Sequence, residues 1–288
     1  MISTSAAAAV AVSIAEEHGV RVRRPVVLQD SFNLRIHLRP APIVARVPTV
    51  TALGRARPDE VLRRELEVVS YLHKSGAPVV PPSDLLPAGP HVRDGVVVSF
   101  WAYVAHDPDY RVTPEEAGRG LAGLHEAMRG FPGRLLYLGP VLEEPARLLE
   151  LLDGEVEADV LARLREAHAG LAARLEGGPV QAVHGDAHPG NLLATPAGLL
   201  WNDFEECMAA PVGWDLACLL RTTRLDGRAA LRAYGADPDD PCLPAFMAAR
   251  ALQGTLWMLV RALGIPSEAA AGRAALEAWL RDPSGVRR

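Results

Sequence analysis

Between residues 184 and 203 the chain concentrates side chains that can do chemistry. His184, Asp186 and His188 alternate through one segment, Asn191 stands five residues after Asp186, and Asn202-Asp203 follows a short apolar stretch. The glycines and proline of "HGDAHPGNLL" exclude a regular helix there. Leu192–Ala194 and Leu199–Trp201 flank "TPAG", a composition that predicts a turn. If that turn closes a hairpin, strands about 5 Å apart bring the oxygens of Asn191 and Asp203 together. Two converging oxygen donors suit a hard cation such as Mg2+. A third carboxylate, Asp186, then serves as a proton acceptor or as the orienter of a hydroxyl nucleophile, which is the equipment of phosphoryl transfer. A competing reading places zinc on His184, His188, Asp186 and Asp203. It is disfavoured because zinc sites usually draw histidines from better separated segments. The bland alternative makes Asp186, Asn191 and Asp203 loop caps and turn formers.

The elements that must position these residues fall into two groups. A helix over Ala6–Gly19 is followed by strand-like segments between Val20 and Val50, including "PIVARV" at 42–47. "RPDEVLRRELEVVSYLHKSG" (57–76) predicts a helix with Leu62, Leu66, Val69 and Leu72 on its apolar face, and "GVVVSFWAYV" (95–104) a buried strand. Beyond Asp107 the pattern turns helical. Thr113 and Glu116 form a capping-box pair, residues 145–178 read as largely helical, and so does the chain after Trp214. The expectation is an α+β fold of two lobes: a small β-rich N-terminal lobe, 1–104, and a larger, mainly helical C-terminal lobe, 105–288.

Composition narrows the function classes. A length of 288 residues is ample for two lobes. A net charge of -5 argues against a nucleic-acid partner. Lys74 is the only lysine among 30 basic residues, so an arginine standing where lysine is usual needs careful reading. Cys207, Cys218 and Cys242 are too few and too irregular for a disulfide framework. The first twenty residues lack a basic start, and no run of about 18 apolar residues is evident, so neither a signal peptide nor a membrane span is expected. A cytoplasmic monomer or weak homodimer follows as the expectation.

Asp186-x-x-x-x-Asn191 followed by Asn202-Asp203-Phe204 resembles the catalytic loop and metal-binding aspartate of protein-kinase-like enzymes. With His184-Gly185 before the aspartate, it resembles the aminoglycoside phosphotransferase and choline kinase branch. "GWDLACLL" (213–220) and "LAGLHEAM" (121–128) are similar to further segments of that branch. About ten residues separate Asp203 from Asp215, which leaves no room for a peptide-docking segment and favours a small acceptor. The resemblance implies ATP or GTP as co-substrate, Mg2+ on Asn191 and Asp203, and catalysis by Asp186. It further implies structural support of the loop by His184, His188 and Asp215, and a hydroxylated small molecule as acceptor.

In the same frame, Ser31 and Asn33 fall where a phosphate-covering hairpin belongs, without its usual glycines. Arg46 falls on the lysine position, Glu65 pairs with it, and Phe100, Trp101 and Tyr103 lie at the adenine connection. Glu205, Glu206, Arg250 and Trp257 are candidates for acceptor binding. Arg46 motivates an alternative: a kinase-like protein of weak or no activity that binds a nucleotide or small ligand.

Overall fold

A computed structural model describes residues 2–175 and 179–285, in two compact units. The first runs to Pro108 and takes in Leu193–Glu205; the second holds Asp109–Leu192 and the chain from Glu206. The architecture is the expected α+β, with a β-sheet N-terminal region and a helical C-terminal region.

The first unit opens with α1 (Thr4–Glu17), capped by the Ser3 hydroxyl, which accepts from Ala6 N. Strands β1 (Val22–Asp30), β2 (Asn33–Pro40) and β3 (Ile43–Pro48) follow, then the short α2 (Thr51–Gly54), α3 (Pro58–Lys74), β4 (His91–Arg93) and β5 (Val96–Ala102). The strands form one antiparallel sheet in the order β1-β2-β3-β5-β4. Small residues on α1, Ala7, Ala11 and Ala15, bury against Leu34, Ile36, Leu38 and Phe100 of the sheet. Alternation along β2 sends Leu34, Ile36 and Leu38 into this core, while Arg35 points to the opposite face beside its register partner Arg46. The buried side of α3 carries Leu62, Leu66, Val69 and Leu72, and Glu65 lies among them.

The second unit begins with α4 (Pro114–Arg129), whose Thr113–Glu116 capping box forms as the spacing predicts. Then come α5 (Gly139–Leu151), α6 (Ala158–Ala169), α7 (Leu171–Arg174) and β6 (Val180–Val183). The stretch read as largely helical over 145–178 is thus divided among three helices. Gly154, at φ +77°, lies in the break between α5 and α6, in a conformation that L side chains rarely adopt. The end of that reading, 176–178, lies outside the described residues.

β7 (Leu192–Thr195) and β8 (Gly198–Trp201) make the expected hairpin. The sequence grouped it with the helical lobe, but its backbone bonds tie it to the first unit. Val80 N donates to Trp201 O (2.9 Å), Trp201 N to Pro78 O (2.8 Å) and Asp107 N to Ala194 O (2.9 Å). The chain then returns to the second unit with β9 (Met208–Pro211), a strand not anticipated from sequence, which pairs antiparallel with β6. Helices α8 (Gly213–Arg221), α9 (Gly227–Tyr234), α10 (Leu243–Gly264) and α11 (Ala269–Arg281) complete it. Helices α4 and α9 approach so closely that a Cβ on Gly118 would stand 2.1 Å from the Ala230 carbonyl oxygen. Helix α10 is long and apolar enough to cross a membrane by length and composition alone, a test that a buried core helix also passes, and 72% of that stretch is buried within the protein.

Candidate active site

The second unit builds the loop that carries Asp186. Asp215, fully buried in the first turn of α8, accepts from His184 N (2.8 Å), Gly185 N (2.9 Å) and the His125 Nε2 of α4 (2.9 Å). One carboxylate thus satisfies two consecutive amides that a tight loop would otherwise leave without partners. His184 is buried and its Nδ1 accepts from Asp186 N (3.2 Å), while the Trp214 indole donates to Gly185 O (2.7 Å). Gly185 sits at φ +90°, and a Cβ there would stand 2.0 Å from the Glu206 carbonyl oxygen. The residue before Asp186 must therefore be glycine, for both conformation and space. His188 caps the turn at Pro189–Asn191, its Nδ1 accepting from Gly190 N (2.9 Å). Each histidine thus accepts a backbone N–H of its own loop.

Asp186 is the convergence point of that loop. Asn191 Nδ2 donates to its backbone oxygen (2.9 Å) and to Oδ2 (3.3 Å), and His188 Nε2 lies 3.4 Å from Oδ2. Oδ1 is paired with the Arg250 guanidinium of α10. Arg250 also binds Glu206 (2.8 Å) and Gln253 (2.8 Å). Desolvation pushes the Asp186 carboxyl up, but Arg250 and the His188 hydrogen bond outweigh it and hold the group well below the usual carboxylate range. For Arg250, burial lowers the value while Asp186 and Glu206 raise it further, so its charge is secure. The result is an ionised, oriented carboxylate.

The first unit gathers the other group. Arg46 is buried on β3 and pairs with Glu65 of α3 at 2.6 Å, with Asp203 at 2.9 Å and with Glu205. Asp203, at φ +67°, also accepts from Arg35 (2.6 Å). Glu205 accepts from Arg55 (2.6 Å) and Asn33 (3.1 Å), and its backbone oxygen from Arg64 (2.7 Å). Burial pushes the Glu65 carboxyl up to about 7, against the pull of Arg46.

Several sequence candidates land elsewhere. Glu205 is not an acceptor ligand: it is buried among arginines of its own unit. Asn33 is buried between Glu205 and Thr51, whose hydroxyl donates to its Oδ1 (2.7 Å), so it does not line a phosphate loop. The Ser31 hydroxyl accepts from Gln29 (2.8 Å). Phe100 lies in the core under α1, because alternation along β5 turns it away from the face of Trp101. The Trp101 indole donates to Ser99 (2.9 Å), and Tyr103 stacks on His37 with ring centroids 3.8 Å apart. Trp257 is buried in α10, and Glu206 is bound to Arg250. Sequence reasoning missed Arg35 and Arg55. Strand alternation places Arg35 beside Arg46, a signal that was available once the β2–β3 register was assumed.

Asn191 and Asp203 are oxygen donors, and Asn191 turns its amide nitrogen to Asp186, so the atom it can offer a cation is its carbonyl oxygen. Among the described residues no three of His, Cys, Asp and Glu gather as a metal cluster.

The model of the phosphotransferase enzyme family, APH, matches residues 42–248 of the chain. The chain belongs to this family. It is therefore a phosphotransferase. No curated protein matches the sequence. Among solved structures, the chain is similar to an amicoumacin kinase in complex with AMP-PNP, Ca2+ and Ami (TM-score 0.71, 14% identity, 94% of this chain and 92% of that one). It is also similar to the GDP complex of aminoglycoside 2'-phosphotransferase-IIIa (TM-score 0.62, 16% identity, 92% and 95% covered). A third is a choline/ethanolamine kinase family protein from Mesorhizobium loti (TM-score 0.60, 20% identity, 98% and 96% covered).

Proposed function

We propose that this phosphotransferase moves the γ-phosphoryl group of ATP or GTP to a hydroxyl of a small molecule, with Asp186 as the catalytic residue. The observation that carries the reading is the state of Asp186: ionised, and fixed by Arg250, Asn191 and a loop braced on Asp215. The acceptor oxygen forms a bond to the γ-phosphorus, the bond to the bridging oxygen of the leaving nucleoside diphosphate breaks, and the hydroxyl proton passes to Asp186. Asn191 and Asp203 are the proposed ligands of Mg2+, which when bound offsets phosphate charge. Arg46, held by Glu65, is the proposed phosphate-facing cation.

The resemblance to aminoglycoside and choline kinases suggests amino sugars or amino alcohols as acceptors. A second reading, a weak or inactive nucleotide binder, draws on the three carboxylates that already engage Arg46.

Thermal unfolding with ATP, GTP and Mg2+, followed by transfer assays on a panel of hydroxylated acceptors, separates the two. A rise in Tm with transfer supports the kinase. A rise without transfer to any acceptor supports the binder, and no rise with either nucleotide removes both.

A further inference from the structure

Two guanidiniums meet on one carboxylate in the first unit. Arg46 lies 2.9 Å from Asp203 Oδ1, and Arg35 lies 2.6 Å from Oδ2. The register of the sheet explains the meeting. Gln29, Arg35 and Arg46 are cross-strand partners on β1, β2 and β3, and such partners project from the same face. The hairpin also steers Arg35, which donates to Gln29 Oε1 (2.9 Å), while Gln29 Nε2 donates to the Ser31 hydroxyl (2.8 Å).

The two arginines differ in their freedom to move. The Arg46 side chain is 4% exposed and holds Glu65 and Glu205 as well as Asp203, so moving it strands buried charge. The Arg35 side chain is 26% exposed, and it is bound to one carboxylate and one neutral amide. An ion pair open to water on one side adds little to stability and exchanges partners readily.

The turn before Arg35 lacks another means of gripping phosphate. Residues 29–34 contain no glycine, so side chains there hold the backbone back from a close approach. A guanidinium fork supplies from a side chain what that backbone does not, namely paired donors that match two phosphate oxygens. Phosphates held through a cation on Asp203 stand beside the group that already touches this carboxylate. Oδ2 cannot serve a cation and Arg35 at once. Once released, the guanidinium finds phosphate oxygens as its nearest replacement.

We infer that Arg35 is a phosphate-binding residue of the nucleotide site: its guanidinium passes from Asp203 to the phosphate oxygens when nucleotide and cation arrive, while Gln29 keeps hold of it. The inference rests on the proposed kinase reading and deepens it. It gives β2 a share of the grip that Arg46, committed to three carboxylates, supplies alone in that reading.

The test is calorimetric binding of AMP-PNP and GMP-PNP, with Mg2+, to the full-length protein at several NaCl concentrations. For the analogue that binds, Arg35→Ala should raise Kd about tenfold or more, the loss expected for a charge-assisted hydrogen bond. Its Kd should also rise less steeply with salt than that of the unmodified protein, because one charge contact is gone. Arg35→Gln should bind as weakly as Arg35→Ala, and Arg35→Lys, which keeps the charge, should fall between. An unchanged Kd in Arg35→Ala overturns the inference. So does a weaker Kd with the salt dependence of the unmodified protein, or an Arg35→Lys protein that binds no more tightly than Arg35→Gln. Loss of the fold in both Arg35→Ala and Arg35→Gln overturns it as well, since the residue is then structural. The failures are distinguishable. If the unmodified protein binds neither analogue, the kinase reading falls and takes the inference with it. If it binds one and Arg35→Ala binds equally, only the role of Arg35 falls.

Discussion

Arg250 of α10 is paired with Asp186 across 64 positions of sequence, and the same guanidinium holds Glu206 at 2.8 Å. The candidate base is thereby kept charged by a neighbour on a different element from its own loop.

The pairing sets a pH dependence. A carboxyl whose folded value lies below its unfolded one contributes stability above the unfolded value and loses it as pH falls through the folded one. Asp186 should therefore stay ionised well into acid, and the acid limb of kcat/KM should lie below the ordinary carboxylate range. Arg250→Gln removes the largest of the contributions that lower it, so the limb should move to higher pH. Steady-state rates between pH 4 and 8 should show no acid limb from Asp186 in the unmodified protein and the onset of one in Arg250→Gln; a variant profile as flat as that of the unmodified protein means Arg250 does not tune the base. Asp186→Asn should cut transfer by about 10²–10⁴ while leaving Tm within a few degrees.

Arg46 answers three carboxylates at once, so its loss strands buried charge. Arg46→Ala should destabilise by about 3–5 kcal/mol, measured by urea unfolding. Glu65 adds a pH signature of opposite sign to that of Asp186. Its folded value, about 7, is above its ordinary one of 4.5, so its contribution is present at low pH and is lost as pH rises from about 4.5 through 7. Glu65→Gln should flatten the decline of Tm between pH 5 and 8; an identical decline in both proteins would contradict the assignment.

Asp215 has no part in the proposed chemistry, yet its removal should be severe. Asp215→Ala leaves the amides of His184 and Gly185 without their acceptor, at a cost of about 1–3 kcal/mol for each buried donor. Calorimetry should show a lower Tm, and transfer should fall with it. Asp215→Asn, which keeps one acceptor oxygen, should lie between.

Gly185 is the sharpest steric test. Gly185→Ala places a methyl on the Glu206 carbonyl in a backbone region that costs about 1–3 kcal/mol for alanine. The loop must shift, so kcat should fall more than nucleotide affinity. Equal kcat would mean that the loop relaxes without moving Asp186.

Much of this was legible from spacing. The capping box at Thr113, the buried side of α3 and the hairpin at 192–201 follow from periodicity and turn chemistry, which act over a few residues. Asp215 accepts from the amides of His184 and Gly185, a contact between segments thirty residues apart that spacing alone does not encode. The fate of Glu205 was not legible. Two adjacent glutamates read as candidates for acceptor binding, whereas one is neutralised by Arg46 and Arg55, 150 or more positions away, and the other by Arg250. Nothing local to "FEE" encodes those partners. Phe100 was misplaced for a simpler reason: the assignment to a base-binding connection ignored which face of β5 each residue takes.

The hairpin Leu193–Glu205 has a consequence for how this protein can be divided. The chain leaves the first unit after Pro108, re-enters it at Leu193 and leaves again between Glu205 and Glu206. A fragment ending at residue 104 or 108 would lack β7, β8, Asp203 and Glu205, so Arg46 would keep Glu65 but lose its other two carboxylates, and Arg55 would lose Glu205. Neither unit is a contiguous stretch of gene. Isolating the sheet-bearing half would take a rearranged chain order with the hairpin spliced after Pro108, and no single stop codon can produce it.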